Sequence, residues 1–231
     1  MKSNRALRIA VAALLMLAIS PAHATDSHDY AKDEYAIISD GMAPNKRLAL
    51  ASHAEGDGGA FNFHVWLMAE PSHRKIMALA DIGSSNNLDT GPDSYHAQWS
   101  ADSRRVAVSF RRERHEMQLN IYNIEGRRAH LISGPTPFKD VTSRDVGRQE
   151  DIRNGTTEIT WTGRSRFKLL QRYLIKTRDP GFMRMLGKYG KISSSEADGA
   201  IFAEFAAEAD CEIMPGNRYH IVDLRAVEFI Q

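Results

Sequence analysis

Two stretches of this chain carry nearly the same pattern 58 residues apart. Asn45-Lys46-Arg47-Leu48-Ala49-Leu50 and Ser103-Arg104-Arg105-Val106-Ala107-Val108 both run small polar, basic, Arg, aliphatic, Ala, aliphatic, and each follows a turn rich in Asp, Pro, Ser or Ala. A period of 58 is too long for one hairpin, so a single antiparallel unit is used more than once. The repeat constrains architecture tightly and activity hardly at all.

The second copy shows the unit best. Ala97 to Trp99 is a short strand, and in the turn Ser100-Ala101-Asp102-Ser103 the Asp side chain can bond the backbone two residues on. Val106, Val108 and Phe110 then point one way, and Arg105, Ala107 and Ser109 the other. The charged run Arg111 to Glu116 makes a hairpin tip, Met117, Leu119 and Ile121 resume the alternation, and Glu125-Gly126 turns the chain into a last strand with Ala129 and Leu131 on one face. The predicted unit is a four-stranded antiparallel meander. The first copy fits the same plan with strands at Tyr35–Ile38, Arg47–Ala51, Phe61–Met68 and Lys75–Ala80, and with a glycine-rich loop at residues 55–59.

A third copy begins at Trp161. Trp99-Ser-Ala-Asp-Ser103-Arg104 is matched by Trp161-Thr-Gly-Arg-Ser165-Arg166, but Phe167 and Leu169 fall one residue out of phase with Val106 and Val108, a slip that a shorter turn or a bulge would absorb. Trp99 and Trp161 hold equivalent repeat positions and read as core anchors of their sheets. Asp179-Pro180 then starts a helix carrying Phe182, Met185, Leu186 and Tyr189 at helical spacing. Ser193 and Glu196 form a capping box before Ile201, Phe202, Phe205, Ala206 and Ala209. Residues 195–209 alternate as well as a strand would, and their alanine content favours helix. Tyr219 to Phe229 reads as a closing strand.

Trp-Ser-x-Asp-Ser-Arg-Arg-Val-Ala-Val, followed by Leu119-Asn-Ile-Tyr-Asn-Ile124 and a Glu-Gly turn, resembles one blade of the TolB-type β-propeller repeat. The resemblance covers residues 94–133 best, 35–82 less closely and 156–175 weakly. It implies propeller-like modules and partner scaffolding by analogy. Propellers close with at least four blades. Two good copies and a decayed third therefore predict a mainly β chain of meander repeats in an open or incomplete propeller-like arrangement. One or two C-terminal helices, at 180–190 and 195–209, would lie across an exposed face or edge. The modules are expected near 35–82, 94–133 and 156–229 of a single domain, 35–231, after a flexible lead-in at 25–34.

Residues 1–24 have the form of an export signal. Lys2, Arg5 and Arg8 precede the apolar run Ile9–Ile19, and Ala22-His23-Ala24 offers a cleavage site. Eleven apolar residues are too few to span a bilayer, which takes ~20. The expected location is periplasmic or secreted, with no stable membrane anchor after cleavage. Cleavage removes Lys2, Arg5 and Arg8 from the 30 basic residues and nothing from the 29 acidic ones, so the mature chain is near neutral. Nucleic acid, which calls for a strongly basic face, is not an expected partner. Cys211 is the only cysteine, so no intramolecular disulfide is possible, and its simplest role is a small buried apolar side chain.

Catalytic signatures are sparse. Asp89-Thr90-Gly91 matches the aspartic protease triplet, but Pro92 follows it, no apolar strand precedes it and no second copy exists. No Gly-x-Ser-x-Gly elbow occurs. The eight histidines beyond the signal show neither His-x-His nor His-x-x-x-His spacing, so no metal site or cofactor is expected. Arg111, Arg112 and Arg114, in the mixed-charge tip of the second copy, are the candidate binding residues for an anionic partner or glycan. The expected function is an exported, non-catalytic protein that binds an unidentified protein or envelope ligand through its loops, as a monomer or weak dimer. The competing expectation is a periplasmic hydrolase assembled only in three dimensions, with Asp89, His96 and His64 as its candidate residues. A deep cleft lined by Asp, His and Ser would favour the hydrolase.

Overall fold

The structure, a computed structural model, describes residues 25–59, 61–83, 87–147 and 150–229. The signal-like segment 1–24 lies outside the described residues. Strands β1 (Ala36–Met42), β2 (Leu48–Glu55), β3 (Phe61–Ala69) and β4 (Arg74–Gly83) form one antiparallel meander, and β5 (Tyr95–Trp99), β6 (Arg105–Glu113), β7 (Glu116–Glu125) and β8 (Arg128–Ile132) form a second. The third unit comprises β9 (Asp151–Trp161), β10 (Arg166–Thr177), β11 (Gly190–Ser195), β12 (Ile201–Met214) and β13 (Arg218–Ala226). Two short helices, α1 (Pro137–Thr142) and α2 (Phe182–Leu186), pack with this unit. The fold is thus mainly β. Its thirteen strands belong to one mixed sheet that does not close, joined between units by parallel contacts at Ser39–His96 and Glu116–Gly155.

The repeat is visible as recurring hydrogen bonds. In the first two copies the turn before the second strand closes five residues on, from Ala43 N–H to the Leu48 carbonyl and from Ser100 N–H to the Arg105 carbonyl. Asn45 Oδ1 accepts from Arg47 N–H at 2.8 Å, and Asp102 Oδ1 accepts from Arg104 N–H at 3.1 Å, which is the side-chain turn expected at Asp102. In the third copy the turn closes after four residues, from Thr162 N–H to the Arg166 carbonyl. That shorter turn absorbs the slip at Phe167. Each indole reaches back one unit: Trp99 Nε1 donates to the Gly41 carbonyl at 3.1 Å, and Trp161 Nε1 donates to the Gln98 carbonyl at 2.9 Å.

The second meander is apolar on both faces. Val106, Val108, Phe110 and Tyr122 pack on Leu50, Phe63, Val65 and Leu67 of the first meander. On the reverse face, Ala107, Ile121 and Leu119 pack on Ile159, Phe167, Leu169 and Cys211 of the third unit. Leu119 and Ile121 therefore face the opposite way from Val106 and Val108. Burial pushes the Cys211 thiol up to about 12, as expected for a core thiol. A further cluster, of Phe138, Phe182, Leu186 and Phe205, fills the other end of the third unit under α1 and α2.

Three expectations need correction. Residues 195–209 are not helical: Ile201–Met214 is β12, paired with β10 along twelve residues and flanked on its other side by β11 and β13. Ala203, Phe205, Ala207 and Ala209 are buried on one face while Glu204, Glu208 and Asp210 lie on the other, so the segment carries the alternation of a strand covered on one face. Tertiary pairing outweighs the helix preference of alanine, worth only tenths of a kcal/mol per residue. The expected helix at 180–190 is shorter, one α-turn over Phe182–Leu186 continued by a 3₁₀ turn to Tyr189. No lid of two helices forms, because one of the pair is a central strand. In the N-terminal segment, Asp26 N–H donates to Asp89 and the Tyr30 hydroxyl donates to the Thr90 carbonyl.

Val108 is fully buried between the first two meanders. Val108→Asp places an unpaired charge there and is expected to cost at least about 3 kcal/mol. Urea unfolding of the two proteins measures it, and an unchanged midpoint would contradict the packing described.

Candidate functional site

Between the second meander and the third unit lies a cleft of about 970 Å³. One wall is β7, with Met117, Leu119 and Ile121, and the hairpin tip from Arg112 to Glu116 overhangs it. The opposite wall is Thr157 of β9 with Leu169, Gln171 and Tyr173 of β10. The end is closed by Thr136 and Phe138 of α1 and by residues 145–147 and 150–152. The size falls within the range of small-molecule sites.

Its centre is a buried polar set held by complete hydrogen bonding. Gln171 is 1% exposed, and its Oε1 accepts from the Phe138 backbone N–H at 2.8 Å. Its Nε2 bonds the Thr157 hydroxyl at 3.2 Å and the Tyr173 hydroxyl at 2.9 Å. Because the Tyr173 oxygen accepts from Gln171, the phenolic proton remains available for donation. Tyr173 pairs across the strands with Gly155, and a Cβ at Gly155 would sit 2.8 Å from the Tyr173 ring. The missing side chain is what lets the ring lie across β9 at this point. Burial raises the Tyr173 ionisation well above the usual phenol range, and the negative charges of Glu116 and Asp145 raise it further.

Glu116 is opposite the same Gly155 in the parallel contact of β7 with β9. Its half-buried carboxylate has neither a hydrogen-bond nor an ion-pair partner among the described residues. Burial raises its ionisation above the usual carboxylate range, the charge of Glu113 adds to the effect and Arg112 opposes it. The other deep carboxylate is satisfied. Glu150 pairs with Arg144 through two bonds, at 2.6 and 3.0 Å, and accepts from Gly147 N–H, which braces the rim of the cleft.

Of the three arginines singled out from sequence, Arg112 and Arg114 line the overhanging tip of the cleft. Arg111 points elsewhere and forms a bidentate pair with buried Asp89, its Nε at 2.7 Å from Oδ2 and its Nη2 on Oδ1. Asp89 also accepts from Asp26 N–H at 2.8 Å, so the Asp89-Thr90-Gly91 triplet serves as a fastening point for the N-terminal segment. His64 and His96 are not brought together. Their strand neighbours Phe63 and Tyr95 stack at 5.2 Å inside the first core cluster, so each histidine points outward from its own layer. No group of three or more metal-ligating side chains occurs among the described residues.

Sequence reasoning passed over Glu116, Gln171, Tyr173 and α1. Thr136-Pro137 was a legible helix start, and the Thr136 hydroxyl does accept from Lys139 N–H at 3.2 Å. Glu116 lay inside a mixed-charge run and carried no distinguishing signal.

Comparisons with protein-family models, with curated proteins and with solved structures find no match to this chain.

Arg111→Met strands the Asp89 carboxylate and should lower stability by about 3 kcal/mol in urea unfolding. Glu116→Gln should act in the opposite direction. A carboxyl whose folded ionisation is raised gives its full stability below the unfolded value of about 4.5 and loses it as pH rises through the folded value. The variant should therefore melt above the parent at pH 7, with the gap closing toward pH 4, as read by thermal denaturation at both pH values.

Proposed function

We propose that this chain is an exported, non-catalytic binding protein whose ligand occupies the cleft between the second and third units. The observation that carries the reading is Glu116: a half-buried carboxylate without a partner, beside the Tyr173–Gln171–Thr157 set, on the wall of a cleft of about 970 Å³. Folding leaves such a charge unpaired at a cost, and a ligand that meets it recovers that cost on binding. Among the described residues the lining contains no Ser or Cys and one histidine, His115, at the exposed tip, which favours binding over nucleophilic hydrolysis.

Export is inferred from the signal-like residues 1–24 and places the mature chain in the periplasm or beyond. The units are read as TolB-type propeller modules in an open arrangement. Support comes from the matching turns and from the two indoles that reach back one unit. The binding residues are Glu116, Tyr173 and Gln171 inside, with Arg112 and Arg114 at the rim, and the chain acts as a monomer or weak dimer.

A fragment library screened by ligand-observed NMR tests the reading. Leu119→Trp places an indole in the cleft and should abolish binding of the hits while leaving a cooperative thermal transition. Hits that bind parent and variant equally would refute the cleft as the site.

A further inference from the structure

The chemistry of the cleft restricts what can enter it. Met117 and Leu119 offer apolar surface on one wall, among polar side chains, where the apolar part of a ligand can lie. Its polar groups divide into satisfied and unsatisfied. Asp145 pairs with Lys139 and Glu150 with Arg144, whereas Glu116 is without a partner. Gln171 spends both ends of its amide on Phe138, Thr157 and Tyr173, and so holds the phenol in place. The positive groups nearest Glu116, Arg112 and Arg114, are exposed at the tip, where water screens them. The interior therefore presents one unpaired negative charge and one phenolic hydroxyl beside the apolar surface of Met117 and Leu119.

Resting on the binding reading above, we propose that the ligand is a small organic cation, an ammonium or guanidinium on an apolar body, with Glu116 as its counter-ion. The Tyr173 oxygen, which carries lone pairs beyond the bond from Gln171, accepts a second hydrogen bond from the cation. The apolar body lies along Met117 and Leu119 toward Phe138. An anion of the same shape would meet the Glu116 carboxylate and be repelled. A neutral ligand would leave the carboxylate unpaired. Charge selection thus follows from a single residue, and the aromatic and aliphatic walls add affinity without discriminating charge.

Three probes with one body and different heads decide the matter: 4-phenylbutylamine, 4-phenyl-1-butanol and 4-phenylbutyrate. Each is titrated at pH 7 into the mature protein carrying methyl-labelled methionine, with the Met117 methyl resonance as the reporter inside the cleft. The amine should bind about tenfold more tightly than the alcohol, as a desolvated charge pair predicts, and the acid more weakly still. Glu116→Gln should erase the preference of amine over alcohol. Equal binding of amine and alcohol to the parent, or a preference for amine that survives in Glu116→Gln, overturns the cation inference while the cleft remains a binding site. If none of the three moves Met117 although fragment hits do, the inference also falls. If fragments fail too, the binding reading falls with it.

Discussion

The structure depends on one sheet with two apolar faces. In β6 the residues alternate Val106, Ala107, Val108, and all three are fully buried because each face of the second meander meets another layer. A meander exposed on one side would need polar residues at Ala107, Ile121 and Leu119, and the third unit would then have nothing to pack on. Pairing between units is slight by comparison, with one parallel register contact between the first and second units and, between the second and third, one more together with the isolated Ser133–Arg218 bridge. Contact across faces, more than hydrogen bonding along the sheet, joins the units. Burial of apolar area is also the larger source of stability in folds of this kind.

The two indole bonds set how the layers are stepped. Trp99 and Trp161 end the first strands of their units, and each donates to a carbonyl near the corresponding strand of the preceding unit. Each bond satisfies an indole N–H and fixes one strand relative to the next. Asn45 N–H, which donates to Ser103 Oγ at 3.0 Å, adds a second tie at the same level between the first two units. The third unit lacks that extra tie, and it is there that the turn shortens and the repeat loses its phase.

Much of this was legible in the residues. The eight strands of the first two units were marked by alternation and by Asp, Asn and Gly turns, which are local signals, and local signals survive folding. Strand β12 was misread because the helix preference of its alanines was set above the alternation of Ile201, Ala203, Phe205 and Ala207 with Glu204 and Glu208, and pairing with β10 and β11 makes that alternation the better signal. The facing of Leu119 relative to Val108 escaped for a related reason: alternation gives the period of each strand, and which face a second layer will cover is a property of the assembly. The candidate site was the least legible part. Glu116, Thr157, Gln171 and Tyr173 come from three strands, and each is unremarkable in its own segment. Arg111 looked equivalent to Arg112 and Arg114, but its guanidinium is held by Asp89 and does not line the cleft.

The cleft exists where the repeat fails. Had the third unit followed the first two, its link to β8 would be as short as that from Gly83 to Tyr95. Instead residues 133–150 leave β8, form α1 and seat Phe138 against Tyr173 and Phe205 at the far end of the third sheet. The apolar face that runs along β10 and β12 is thereby divided. Phe167 and Leu169 pack on the second meander, Ile175 and Phe205 pack under the helices, and Gln171 stands between the two clusters. A glutamine at that place gives a sheet face one polar position where apolar packing stops, and its full set of hydrogen bonds keeps the cost of burial low. The same gap exposes Glu116 to a half-buried setting that a closed interface would not tolerate. Decay of the repeat and appearance of a polar-floored cavity are therefore one event in the chain, and the segment that departs from the modular plan is the segment that builds the site.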